Sequence, residues 1–178
     1  MPGILNALKS DETLMLAYQA GDARAFETVY MRHKDALFNF LFRSVRQMGV
    51  VEDLAQDVWM SIIHGIGSYR AVASFRTYLY RIARNRLVDH WRREAHRSSD
   101  QLVEDEHAGR ENPEYNVQLM EVLNAISALP PEQGEVLLLH EEGFSQQEIA
   151  EITESKPETV KSRLRYARNV LKHLGEVS

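Results

Sequence analysis

Cysteine is absent from the 178 residues, which excludes disulfides, thiolate metal sites and thiol redox sensing within the chain. No apolar run approaches the roughly 18 residues that a membrane span requires. Met1 to Leu8 has neither the basic start nor the long apolar stretch of a signal peptide, so the chain reads as soluble and intracellular. Catalytic signatures are missing too. The histidines are scattered, and none forms the i, i+4 pair of a helical metal site. His140-Glu141-Glu142 begins like a zinc motif but lacks the second histidine. No glycine-rich phosphate loop and no nucleophile elbow occurs. These absences leave no case for an enzyme, a metal or a cofactor, and His33 and His140 read as packed or partly exposed helix residues.

What is present fits one ordinary domain or two small ones, with 44% apolar and 26% charged residues. The formal net charge of −5 argues against a nucleic-acid binder, but it is a sum of opposed blocks. From Tyr69 to Arg97, eight arginines face only Asp89 and Glu94. From Ser98 to Asn116, six acids face Arg110 alone. From Lys156 to Lys172, six bases face only Glu158. A single charge run is commonly a solvated helix face. Two basic blocks in an acidic chain resemble two phosphate-facing surfaces.

Apolar residues recur with a helical period almost throughout, and no segment sustains strand alternation. The fold class is all-α. Gly21-Asp22 ends a short helix and caps a long one with Phe26, Val29, Tyr30, His33, Leu37, Phe40 and Leu41 on its apolar face. A third helix, from about Val51 to His64, buries Leu54, Val58 and Ile62 and turns Asp53, Gln56 and Asp57 to the opposite side. Gly65 to Ser74 reads as a loop. A long helix follows from Phe75, burying Phe75, Leu79, Ile82, Ala83 and Leu87 while its arginines point elsewhere. The acidic segment that follows is too poor in apolar residues to fold alone and reads as a flexible linker.

Beyond it, a helix with Leu119, Leu123 and Ile126 ends before Pro130-Pro131. The next starts on proline, carries Val136, Leu137 and Leu139, and stops at Gly143. Ser145-Gln146-Gln147-Glu148 is a capping box opening a short helix with Ile149, Ala150 and Ile152. A turn from Thr153 to Lys156 leads to a last helix with Val160, Leu164, Ala167 and Leu171 on one face. Short helix, tight turn and longer basic helix is the helix-turn-helix pattern, with a plain helical hairpin as the bland alternative.

Four motifs then fall in a telling order: Glu52-Asp53-Leu54-Ala55-Gln56-Asp57-Val58-Trp59, Phe75-Arg76-Thr77-Tyr78-Leu79-Tyr80-Arg81-Ile82-Ala83-Arg84-Asn85, Leu129-Pro130-Pro131-Glu132-Gln133, and Thr159-Val160-Lys161-Ser162-Arg163-Leu164. From about Leu14 to Leu174 the chain closely resembles the extracytoplasmic-function (ECF) sigma factors, small alternative specificity subunits of bacterial RNA polymerase. The resemblance implies sigma region 2 over 1–97, a linker over 98–115 and sigma region 4 over 116–178. It implies no catalysis. It implies binding to core polymerase, through the β′ clamp helices and the β subunit, and recognition of the −10 and −35 promoter elements with help in opening the duplex. By position Asp53, Gln56 and Asp57 match the clamp-helix contacts. Arg76, Tyr78, Tyr80, Arg81, Arg84 and Asn85 match the −10 reader, and the Gly65 to Ser74 loop matches the place where a flipped base is captured. As an alternative, Tyr78 and Tyr80 simply pack under that loop. The partners also include an anti-sigma factor that clamps the two domains together over the Asp53 face or the basic helices. The location expected is the bacterial cytoplasm, with a membrane-bound anti-sigma factor as one route to the inner membrane and no insertion of the chain itself.

For the −35 element, the last helix offers Glu158, Lys161, Ser162, Arg165, Tyr166, Arg168 and Asn169 opposite its apolar stripe. Departures from the family pattern are Tyr78 where tryptophan is common, Gly134 inside a helix, and Glu158 where a small residue is usual. Glu158 either closes a capping box with Ser155 or also accepts a hydrogen bond from a cytosine amine. Two other classes compete. A helix-turn-helix regulator that ignores polymerase leaves the Asp53 face and the arginine-rich helix without a job. A nucleic-acid-processing enzyme lacks a metal carboxylate cluster or nucleophile.

Overall fold

The computed structural model describes residues 8–100 and 117–175, and among these every regular element is a helix. Four helices come before the gap and four after it: α1 Asp11–Gln19, α2 Ala23–Val45, α3 Met48–Gly65, α4 Phe75–Asp100, α5 Val117–Ser127, α6 Pro131–Glu141, α7 Gln146–Thr153 and α8 Pro157–Gly175. The acidic segment read as a linker lies outside the described residues from 101 to 116, while α4 itself runs on to Asp100.

Local chemistry explains most boundaries. The Ser10 hydroxyl caps α1 by accepting from the Thr13 N–H at 3.3 Å. Gly21 takes φ +105, a left-handed turn that suits glycine, and the Asp22 carboxylate then accepts from the Arg24 N–H at the start of α2. Helix α3 begins at Met48, three residues before the periodicity suggested; Gln47 makes no side-chain cap there, so the sequence carries no start signal. A short 3-10 turn, Ile66–Ser68, interrupts the expected loop. The Gln19 amide pins that loop by donating to the carbonyls of Ile66 at 2.7 Å and Tyr69 at 3.2 Å. The N-terminus of α4 is capped twice, locally by Ser74 to the Thr77 N–H and from α1 by Glu12, whose carboxylate accepts from the Phe75 N–H at 2.7 Å. That bond holds the Glu12 carboxyl below the usual carboxylate range.

The core of the first four helices is aromatic and aliphatic together. Leu14, Val29, Leu37, Phe40, Val58, Ile62, Phe75, Leu79 and Leu87 are all essentially buried, each side chain contributing about 1.5–3 kcal/mol by leaving water. Tyr30 and Phe26, expected inside, instead form an edge cluster with Tyr18 and Trp59. Tyr30 remains 37% exposed there.

The second four helices do not close a separate core. Val136, Leu138, Leu139, Phe144, Ile149 and Ile152 belong to the same apolar cluster as the α1–α4 residues. Helix α6 is therefore buried nearly all round, from Gly134 to Leu139, with α8 on one side and α2 on another. Helix α7 lies against α4. A smaller cluster of Leu129, Leu137 and Ala167 holds α8 to the α5–α6 corner. Gly143, at φ +87, ends α6; the reciprocal capping box of Ser145 and Glu148 opens α7. Glu154 closes α7 in the left-handed region at φ 52, which turns the chain into α8.

Candidate nucleic-acid interface

Helix α3 presents Asp53, Gln56 and Asp57 to solvent, one turn apart, with Leu54, Val58 and Ile62 buried behind them. Met60, 40% exposed, extends this face by a further turn. The sequence reading missed it, although the 53–56–57–60 spacing was there to be read.

Helix α8 also matches its expected amphipathicity. Val160, Leu164 and Ala167 are buried, while Glu158, Lys161, Ser162, Arg165, Tyr166, Arg168 and Asn169 are exposed. Tyr166 is 52% exposed, and the Arg168 guanidinium lies 3.0 Å from the His140 imidazole of α6. The capping box imagined between Ser155 and Glu158 is not the arrangement found. Helix α8 starts at Pro157, which makes Glu158 its second residue, and the Ser155 hydroxyl shares a 2.7 Å hydrogen bond with Thr153. Glu158 still sits in the first turn, where a carboxylate favours the positive helix end.

Helix α4 departs furthest from expectation. Its arginines do not all point away from the protein. The candidate residues split between two faces. Tyr78, Arg81 and Asn85 lie on one: Asn85 is exposed, Arg81 half-exposed, and Tyr78 packs against Tyr69 with ring centroids 5.2 Å apart. The Tyr69 ring is buried beneath the loop, and burial pushes its hydroxyl pKa up to about 12. Arg76, Tyr80 and Arg84, spaced four residues apart, lie on the other face and meet α6 and the start of the following turn. The Arg84 guanidinium donates to Glu135 at 2.9 Å. Arg76 donates to the Glu142 backbone carbonyl and stacks over the Phe144 ring at 4.1 Å. The Tyr80 hydroxyl donates to the Glu142 carboxylate at 3.0 Å, and Arg43 of α2 donates to the same carboxylate. Burial holds the Glu135 carboxyl above its usual range even beside Arg84, and drives the Tyr80 hydroxyl up as well. Arg86 is spent inside the first four helices, donating to Ser61 at 2.7 Å.

Glu135 and Arg43 were not among the residues singled out from sequence, and Glu142 was noted only within an incomplete zinc-like motif. Among the described residues no cluster of histidine and carboxylate side chains could hold a metal ion, and no helix is long and apolar enough to cross a membrane.

The sigma-70 region 2 family model matches residues 29–97, covering most of α2, all of α3 and nearly all of α4, and the sigma-70 region 4 model matches residues 119–171, covering most of α5, all of α6 and α7 and most of α8. The chain is similar to the RNA polymerase sigma-H factor of Pseudomonas aeruginosa, at 28% identity with 92% of both chains covered. It is 31% identical to the ECF RNA polymerase sigma factor SigM of Mycobacterium tuberculosis, over 93% of this chain and 85% of that one. The ECF RNA polymerase sigma-E factor of Escherichia coli K12 is also 31% identical, with 91% and 92% covered. Among solved structures, CnrH in complex with the cytosolic domain of CnrY shares the fold with a TM-score of 0.77 at 24% identity, covering 96% of this chain and 99% of that one. The sigma factor RpoE of Bartonella quintana, in complex with the anti-sigma factor NepR, gives a TM-score of 0.74 at 26% identity, covering 88% and 99%. With both region models matched in order and 31% identity sustained over nine-tenths of its length, this chain belongs to the ECF family of RNA polymerase sigma factors, which initiate transcription.

Proposed function

We propose that this sigma factor binds the β′ clamp helices of core RNA polymerase through Asp53, Gln56 and Asp57, reads the −10 element with α4 and reads the −35 element with the exposed face of α8. The N-terminal unit, 1–97, serves polymerase binding and melting; the C-terminal unit, 116–178, serves −35 recognition, with 98–115 joining them. No step of this work is catalytic. The observation that carries the reading is the α3 edge, where three polar side chains with no part in the core stand exposed on one rigid helix beside Met60. Such a face, polar and ended by one apolar side chain, suits a partner helix pair.

Replacing Asp53, Gln56 and Asp57 together by alanine is expected to leave the melting curve unchanged and to weaken binding to core polymerase. Each lost contact costs about 1–3 kcal/mol where it is desolvated, so affinity falls roughly tenfold or more. Unchanged affinity in the triple variant removes this face from the proposal.

The same sigma factor is held inactive by an anti-sigma factor. Both units together resemble the sigma factor RpoE, which was solved with the anti-sigma factor NepR. A membrane-bound anti-sigma factor would tether the chain to the inner membrane without inserting it. Fractionation with and without the partner's gene tests that step: the tether predicts sigma factor in the membrane pellet only when the partner is present.

A further inference from the structure

Two buried or nearly buried carboxylates, Glu135 and Glu142, join the C-terminal unit to the arginines of the N-terminal unit. Glu142 gathers three donors: the Arg43 guanidinium, the Tyr80 hydroxyl at 3.0 Å and, more distantly, the Arg76 guanidinium at 3.8 Å. Its side chain is only 10% exposed. Its backbone carbonyl, at the negative end of α6, takes a further bond from Arg76. Glu135 takes Arg84 at 2.9 Å with its own side chain 4% exposed. Phe144 fills the space between, edge-on to Tyr80 with centroids 4.9 Å apart and flat beneath Arg76. Planar guanidinium groups bind carboxylate and phosphate with the same geometry. Donors engaged by Glu135 and Glu142 are therefore unavailable to a nucleic-acid backbone.

We propose that Glu135 and Glu142 form an intramolecular latch in which two carboxylates occupy Arg43, Arg76, Tyr80 and Arg84 in place of DNA phosphates, so that the closed molecule masks one face of its own −10 helix. The proposal rests on the reading of α4 as a DNA-contacting helix. It adds that the C-terminal unit, besides contacting its own promoter element, is the competitor that keeps the N-terminal unit from binding DNA alone. Closure multiplies the apparent affinity for DNA by the fraction of molecules that are open, so a mostly closed molecule binds weakly. Opening the latch raises that affinity without adding any contact.

The test uses the full chain. Because it has no cysteine, two introduced cysteines at exposed Glu27 and Glu151 carry a dye pair that reports the distance between the units. Glu135→Gln/Glu142→Gln is compared with Glu132→Gln/Glu141→Gln, which removes the same number of charges from exposed positions on α6 and leaves the latch intact. The probe is a fluorescein-labelled single-stranded DNA of mixed sequence, about 20 nucleotides long, a length that spans a typical single-strand groove. The latch variant is expected to show lower energy transfer and about tenfold tighter DNA binding than the control variant. Unchanged energy transfer overturns the latch. Equal gains in DNA affinity for the two double variants also overturn it, since charge alone then accounts for the effect.

If the latch variant opens without binding DNA more tightly, masking is overturned, and Arg76→Ala/Arg84→Ala in the opened background locates the fault. No further loss of DNA binding means that α4 is not the DNA face; a clear loss means that α4 binds DNA but closure never hid it. Should buried Glu135→Gln prevent folding, shown by lost helical circular dichroism, Glu142→Gln alone against Glu141→Gln carries the same comparison.

Discussion

Helices α4 and α8 start from nearly the same sequence signal, a run of bases with few acids, and end in opposite situations. Helix α8 keeps its core contacts on one stripe, Val160, Leu164 and Ala167, and leaves Lys161, Arg165 and Arg168 on an outer face. Helix α4 is hemmed in by α3 and α2 on one side and by α7 on another. Arg76 and Arg84 are thereby drawn into ion pairs with Glu142 and Glu135, and Arg86 into a hydrogen bond with Ser61. A run of like charge fixes the sign of a helix and says nothing about how many of its faces are covered. Coverage is decided by the tertiary neighbours, and here the neighbours of α4 supply the missing acids.

The sharpest way to break this comparison is to remove one arginine from each helix. Arg84→Ala strands the Glu135 carboxylate, whose side chain is 4% exposed, without its partner. Breaking a buried pair from one side costs about 3–5 kcal/mol, less where the stranded acid takes up a proton. Arg165 is exposed, and Arg165→Ala is expected to change stability by no more than about 0.5 kcal/mol. Urea unfolding of the two variants, followed by circular dichroism, measures both. Equal losses would mean that the Arg84–Glu135 pair is no more than a surface contact.

A second experiment asks whether the open face of α8 does what its exposure permits. Glu158 stands in the first turn and is exposed, and the Ser155 hydroxyl pairs with Thr153 instead. That leaves Glu158 available to accept from a cytosine amine in the major groove. Glu158→Gly, assayed on promoters varied one base pair at a time, is expected to lose about 1–3 kcal/mol of preference at a single C·G pair. A change of equal size on every promoter would assign Glu158 to the helix terminus alone.

Much of this contrast was legible beforehand, and the illegible part has one cause. The Gly21-Asp22 turn, the Ser145–Glu148 box, the exposed Asp53 edge and the α8 stripe are local, set by residues within a turn or two of one another, so periodicity and capping chemistry reveal them. The partners of Glu142 and Glu135 stand 99 and 51 residues away at Arg43 and Arg84. No window of sequence contains both ends of either pair. Tyr78 and Tyr80 make the same point on one helix. Two residues apart, they part company: the first packs against Tyr69 under the loop, the second points at Phe144 and Glu142 across the joint between the units.

Acid separates the carboxylates of the two kinds of site. Glu148 and Glu12 are held low by the backbone N–H groups they accept from, so their stabilisation is present above the unfolded carboxyl value and is lost as pH falls through their folded values. Glu135 is held high by burial, so the folded state gains protons there first, and its contribution improves as pH falls from its folded value toward the unfolded one. Unfolding free energies measured from pH 7 to pH 4 are therefore expected to fall less in Glu12→Gln/Glu148→Gln than in the unsubstituted chain, and more steeply in Glu135→Gln. The same slope in all three would show that these carboxyls do not govern the acid response.

The smallest expected effect concerns α6, the helix of the C-terminal unit that packs against α2. A Cβ placed on Gly134 would lie 3.5 Å from the Ile126 carbonyl and 3.8 Å from the Ile126 Cγ2, an ordinary contact, and nothing in its backbone demands glycine. Gly134→Ala is therefore expected to stabilise the protein by up to about 1 kcal/mol, through helix propensity and a less flexible unfolded chain. Gly143, at the other end of the same helix, has open space around its Cβ position but sits at φ +87. Gly143→Ala should instead cost about 1 kcal/mol or more, because the left-handed backbone is strained for alanine whatever room there is. Paired melting curves decide it. If Gly134→Ala destabilises, α5 and α6 approach more closely than this contact allows.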